Sequence, residues 1–208
     1  DRWWLDKAFG RIDLGKTTKV GENVVTLKAA PLTIWHELEP AYVIGDFSVE
    51  PAASGFTIKP TRPLELGSWK AQGMPLYGHC VSYTQEFDVA EKAGSYNVVL
   101  PKWYGSVAKV NVNGKPAGVI AFRTWVTPVG WKLDVTDHIR PGKNTIEVIV
   151  IGTLKNTLGP HHAGEMVGRA WPSAFEQGPE SGPPPGEKYH TLDYGLFEPF
   201  LLLQLREP

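Results

Sequence analysis

Val107-Ala108-Lys109-Val110-Asn111-Val112-Asn113-Gly114-Lys115-Pro116-Ala117-Gly118-Val119-Ile120-Ala121-Phe122 is the stretch from which the fold can be read. Its first six residues alternate as a strand with one buried face. Asn113-Gly114 is the strongest short hairpin signal, because a type I′ turn needs positive φ at both central residues. Gly118 to Phe122 is the returning strand. Further on, Trp131-Lys132-Leu133-Asp134-Val135 alternates again. Gly142-Lys143-Asn144 reads as a turn, and Thr145 to Ile151 as a strongly β-branched strand. No long helix fits between these elements.

The same alternation extends outward. Ala41 to Val49, Phe56 to Lys59, Val81 to Val89, Ser95 to Leu100 and Phe200 to Leu205 each read as a strand, with turn residues between them. Short strands at short spacing predict an all-β antiparallel β-sandwich, not a parallel sheet with helical crossovers. Gly152 to Gly195 breaks the pattern. Its run Gln177-Gly178-Pro179-Glu180-Ser181-Gly182-Pro183-Pro184-Pro185-Gly186 cannot be an interior strand, because proline lacks the ladder donor. The segment 152–195 is therefore an excursion that leaves the sandwich and returns at the apolar closing strand. Stretches of this kind are often binding loops.

The order Val110-Asn-Val-Asn-Gly-Lys-Pro-Ala-Gly118, Trp131-Lys-Leu-Asp-Val-Thr136 and Ile139-Arg-Pro-Gly-Lys-Asn-Thr-Ile-Glu-Val148 resembles the sugar-binding jelly-roll domain attached to many glycoside hydrolases. The family is the galactose-binding-domain-like β-sandwich of the family 2 and α-L-rhamnosidase-like type. Gly73 to Val89 and Gly152 to His162 carry the same resemblance, which runs from about Tyr42 to Pro208. It implies a jelly roll that is usually non-catalytic and often only structural. It also implies carbohydrate and the other domains of a parent enzyme as partners, and a secreted or periplasmic setting. A structural calcium, which such sandwiches often hold, would draw on Glu198 or Glu50. No other cofactor is expected.

An internal repeat bears on domain organisation. Ile12-Asp13-Leu14 followed by Gly21-Glu22-Asn23-Val24-Val25 matches Leu133-Asp134-Val135 followed by Gly142-Lys143-Asn144-Thr145-Ile146 at one constant offset, without a gap. Each copy is expected to be a strand, a turn-rich connection, a Gly-x-Asn turn and a second strand. Residues 1–35 are accordingly expected to be the last strands of a preceding sandwich, or an extra layer on residues 36–208.

Composition excludes several classes. The net charge of −1 and the lack of a basic block argue against nucleic acid as a partner. No apolar run approaches the roughly 20 residues of a membrane helix. Hydrophobic residues make up 42%, enough for a core, so the chain is not disordered overall. Cys80 is the only cysteine, so it forms no internal disulfide, and a buried thiol is expected. The chain opens on Asp1 without an initiator Met and is expected to be a mature or excised piece.

A sugar site would need rings for stacking and polar groups for hydroxyls. Arg123 and Trp125 flank Thr127-Pro128-Val129-Gly130, where an indole can stack on a pyranose and a guanidinium can bind its hydroxyls or a carboxylate. Arg would favour an acidic sugar. His161 and His162 open the excursion with Asn156 just before them, and Trp171 stands in it without a strand partner. Arg123, Trp125, Asn156, His161, His162 and Trp171 are therefore the expected ligand contacts. Trp131 is expected to face the core instead, and Trp103 to pack at the core or an edge. No zinc spacing accompanies the histidines. No nucleophile elbow, metalloprotease helix or phosphate loop occurs. A self-contained hydrolase would need two carboxylates across the scissile bond, and Glu165 and Glu176 of the excursion would be the first choice. A purely structural module between domains is the third alternative.

Overall fold

The computed structural model describes residues 3–34, 41–121, 132–158 and 182–205. The chain forms two compact units, Asp1–Ala41 and Tyr42–Pro208. In the first, β1 (Trp3–Trp4) and β2 (Asp6–Gly10) pair antiparallel. Trp4 and Phe9 meet edge to face at 5.9 Å. The strands expected at Ile12-Asp13-Leu14 and from Val24 onward do not form: residues 11–34 carry no strand. A strand exists only with a ladder partner, and no described residue supplies one there.

The second unit is an antiparallel β-sandwich. Its larger sheet has the order β5 (Cys80–Val89), β11 (Gly142–Ile151), β8 (Val107–Val112), β9 (Lys115–Ala121). The smaller sheet has β6 (Ser95–Val99) between β10 (Lys132–Asp134) and β13 (Leu201–Leu205). Two short pairs flank them, β3 (Ser48–Pro51) with β4 (Phe56–Lys59), and β7 (Trp103–Tyr104) with β12 (Gly195–Leu196). Helix among the described residues is confined to 3-10 turns at Thr136–His138 and Gly186–Lys188. The strand expected from Ala41 begins only at Ser48. Before it, Gly45 and Asp46 bend the chain and the Phe47 N–H reaches the Gly45 carbonyl at 3.2 Å.

Alternation decides which face is inside. Opposite one another in the larger sheet stand Tyr83, Val148 and Val110, and beside them Val81, Val150 and Ala108. Val148, Val150, Val110 and Ala108 are fully buried, and they share one core with Tyr96, Val98 and Leu202 of the smaller sheet. The two sheets therefore close over a common interior, with Phe87 and Phe200 touching across it at 5.9 Å. Trp103 joins this core, as expected. Cys80, expected inside, is only half-buried, because it lies at the very end of β5 opposite Ile151.

The Asn113-Gly114 hairpin forms as read. Val112 pairs with Lys115, and φ is +52° at Asn113 and +77° at Gly114. Asn113 also ties the turn to the neighbouring strand. Its Nδ2 donates to Asn144 Oδ1 at 2.9 Å, and its Oδ1 accepts from the Thr145 N–H at 3.1 Å. Gly142–Asn144 is the first part of β11, not a separate turn, and its left-handed glycine (φ +81°) starts the strand.

Replacing Gly114 by Val should cost about 1 kcal/mol or more, since a β-branched residue resists positive φ. A denaturant midpoint equal to that of the parent protein would refute this turn geometry. On the outer face, Glu147 accepts hydrogen bonds from Ser82 Oγ at 2.6 Å and Asn111 Nδ2 at 2.7 Å, which hold its carboxyl below the ordinary value of 4.5. Both bonds favour the charged form, so this contribution is complete above that ordinary value and disappears as acid protonates the folded carboxylate. The stability difference between the parent and Glu147→Gln should therefore shrink as pH is lowered from 7 to 3 in urea titrations.

Candidate functional site

A cleft of about 430 Å³ opens in the second unit, within the roughly 300–1,000 Å³ typical of small-ligand sites. Three separate pieces of chain build it. The first is the β3–β4 hairpin. The second is the turn after Trp69. The third is the returning segment around Gly186 to Asp193. Backbone bonds fasten them together. The Val49 N–H reaches the Gly73 carbonyl at 2.8 Å, the Gly55 N–H reaches Pro184 at 2.7 Å, and the Gly186 N–H reaches Ala52 at 3.0 Å. Gly186 must be glycine, because a Cβ there would lie 2.7 Å from the Cα of Pro51.

Trp69 anchors the middle piece. It is 1% exposed, and its Nε1 donates to the Tyr83 hydroxyl at 2.8 Å. Its ring meets Tyr77 and Tyr194 edge to face, at 5.8 and 6.0 Å. Its backbone N–H binds the Tyr194 carbonyl at 2.8 Å. Lys70, the next residue, is thereby held over the cleft, with Nζ 3.3 Å from the carbonyl of Thr191.

The lining is mixed. Val49, Pro51, Phe56 and Pro75 give an apolar wall, and Phe56 is backed by Tyr189 with ring centroids 5.0 Å apart. Burial pushes the Tyr189 hydroxyl pKa up, so it stays neutral. Three cations, Lys59, Arg62 and Lys70, face three carboxylates, Glu50, Glu187 and Asp193. Glu50 takes Lys59 at 3.3 Å and Arg62 at 2.9 Å, and Asp193 accepts from the Ser68 hydroxyl. Thr191 is 7% exposed, and its hydroxyl is buried without a hydrogen-bond partner among the described residues. The cleft thus offers both donors and acceptors, no net charge, and an aromatic edge.

The expected ligand residues fare differently. Arg123, Trp125, His161, His162 and Trp171 lie outside the described residues, as do Trp131, Glu165 and Glu176. Asn156 is described, and it is 1% exposed. Its Nδ2 donates to the Leu192 carbonyl at 2.8 Å and its Oδ1 accepts from the Leu192 N–H at 2.7 Å. Both ends of the amide are engaged in clamping the start of the excursion to its return. Glu50, one of two residues considered for calcium, is ion-paired instead. No cluster of three His, Cys, Asp or Glu occurs among the described residues. None of their helices is long and apolar enough to cross a membrane.

Sequence reasoning did not single out Lys59, Arg62, Lys70 or Thr191. A signal exists in Lys59-Pro60-Thr61-Arg62-Pro63, where two cations sit between prolines that hold the backbone extended. Nothing in the sequence, however, brings Thr191 to Lys70.

No protein-family model matches the chain. The chain is 33% identical over 139 residues to a putative beta-glucuronidase of Formosa agariphila; the match covers 64% of this chain and 11% of that protein. Among solved structures, a rhamnosidase from Novosphingobium sp. PP1Y aligns over 84% of this chain and 16% of its own, at 22% identity and a TM-score of 0.45. A beta-D-mannosidase from Dictyoglomus thermophilum aligns over 78% and 22%, at 13% identity and a TM-score of 0.40. The chain therefore spans only a small part of each of these proteins.

Replacing Trp69 by Ala should cost about 3–5 kcal/mol, because it removes a large buried ring and leaves the Tyr83 hydroxyl short of a donor. Equilibrium unfolding of the variant checks this, and a loss under 1 kcal/mol would remove Trp69 from its anchoring role.

Proposed function

We propose that this chain is a non-catalytic, carbohydrate-binding ancillary domain of a larger glycoside hydrolase, a jelly roll of the galactose-binding kind. The observation that carries this reading is the 139-residue match to one-ninth of a putative beta-glucuronidase, 33% identical. A stretch that small within so long a relative is the size of one module, and an all-β sandwich is a common shape for such modules.

The cleft supports the same reading. Saccharides present hydroxyls that both donate and accept, and ring faces that are apolar. A lining with Arg62 and Lys70 as donors, Asp193 and Glu187 as acceptors and Phe56 beside them answers each of these. Glu50, Lys59 and Arg62 are partly exposed, so their ion pairs are worth little and can rearrange around a ligand at small cost. A single sugar held by one aromatic edge and a few hydrogen bonds would bind weakly, roughly in the millimolar to micromolar range. The loop of Arg123 and Trp125, with His161, His162 and Trp171, is the alternative place for the same ligand.

A glycan array on the chain, followed by calorimetry on the best neutral and the best uronic oligosaccharide, tests this. Binding without hydrolysis of aryl glycosides is the expected result. Arg62→Ala with Lys70→Ala should weaken binding about tenfold or more while leaving the melting temperature nearly unchanged. Loss with Trp125→Ala and Trp171→Ala instead would move the site to that loop. Turnover abolished by Glu165→Gln or Glu176→Gln would establish a self-contained hydrolase. A chain that binds no glycan would be a structural module.

A further inference from the structure

The internal repeat persists as hydrogen bonds. In the sandwich, Asn144 Oδ1 accepts from the Arg140 N–H at 3.1 Å, while its Nδ2 donates to the carbonyls of Arg140 at 2.7 Å and Gly142 at 2.9 Å. In the first unit, Asn23 Oδ1 accepts from the Lys19 N–H at 2.9 Å, while its Nδ2 donates to the carbonyls of Lys19 at 2.8 Å and Gly21 at 2.9 Å. Asp134 Oδ1 accepts from the Thr136 N–H, and Asp13 Oδ1 from the Gly15 N–H, both at 2.9 Å. The His138 N–H reaches the Val135 carbonyl, and the Thr17 N–H the Leu14 carbonyl, again both at 2.9 Å. Gly142 and Gly21 are both left-handed, at φ +81° and +95°. Every pair stands at the same offset in the chain.

What differs is the surroundings. Val135, Ile146 and Val148 are at most 1% exposed, packed in the sandwich core. Their counterparts are Leu14, Val25 and Leu27. Leu14 is half-buried, and Val25 and Leu27 are 59% and 69% exposed. β11 lies between β5 and β8, with Ile146 opposite Gln85 and Val112 and Val148 opposite Tyr83 and Val110. Residues 24–29, its counterpart, make no hydrogen bond to any described residue. Local geometry has been built for a strand whose ladder and core are missing.

We propose that residues 11–34 are one corner of a second β-sandwich of the same build, and that Leu14, Val25 and Leu27 are the docking surface for its remaining strands. The occupant is a pair of antiparallel strands with alternating apolar residues, equivalent to β5 and β8, one on each side of residues 22–29. A helix or a flat apolar surface would cover the side chains but leave the backbone N–H and C=O groups unpaired, whereas strands satisfy both. The proposal stands on the repeat and is independent of carbohydrate binding.

Hydrogen exchange by mass spectrometry tests it, comparing this chain with a longer polypeptide that includes the residues encoded upstream of Asp1. In this chain, the amides of residues 24–28 should exchange far faster than those of residues 145–150. In the longer polypeptide both sets should be protected, and Val25→Asp should abolish protection at 24–28 while leaving 145–150 unchanged. Fast exchange at 24–28 in the longer polypeptide overturns the proposal, as does an upstream sequence without alternating strands. Concentration-dependent protection in this chain alone also overturns it, since a second copy would then be the occupant.

Discussion

The indole of Trp69 is 1% exposed and hydrogen-bonded through its one polar atom to Tyr83, and this single burial couples the larger sheet to the cleft. A buried indole needs a partner for its N–H. Tyr83 supplies it from β5, and the same hydroxyl accepts the Leu196 N–H at 3.3 Å. Leu196 belongs to β12, which pairs with β7, so one oxygen joins three parts of the sandwich. Through its backbone, Trp69 also binds Tyr194, and its carbonyl receives the N–H of Met74. The turn that presents Lys70 is therefore as fixed as the core beneath it.

The cleft combines a stiff frame with soft charges. Its walls are joined by backbone hydrogen bonds between segments far apart in the chain, and Gly186 and Gly73 allow the close approach that narrows it. A Cβ on Gly73 would lie 3.0 Å from the Ser48 Cβ. Its charged side chains are partly exposed and can change partner with little loss. The Thr191 hydroxyl is the opposite case, buried and without a partner among the described residues. A polyhydroxylated ligand suits such a site, because hydroxyls both donate and accept.

The two copies of the Gly-x-Asn corner separate local from tertiary causes. An asparagine that binds the backbone two and four residues before it needs only its own turn, so Asn23 and Asn144 adopt the same bonds. A strand needs neighbours, so the residues after Asn144 form β11 and those after Asn23 form none. Asn144 is also fully buried and linked to Asn113 across the sheet, which turns a local motif into part of the core.

The sequence by itself determined what depends on near neighbours. Alternation in Val107–Val112 and Thr145–Ile151 chose the buried face, Asn113-Gly114 chose the hairpin, and the strand spacing made the fold an antiparallel sandwich. It overextended the strand before Ser48 and placed strands in residues 11–34, because periodicity is a property of side chains while a strand is a property of paired backbones. The position of Asn156 was legible, but not its use. Its amide is consumed by Leu192, a partner that only chain reversal brings near. The cleft was decided by the tertiary structure alone. Lys70 meets Thr191, and Gly55 meets Pro184, across more than a hundred residues, and no local rule connects them. Long-range contacts of this kind form when apolar faces find each other in the core, and the surface groups they carry along are then brought together as a consequence.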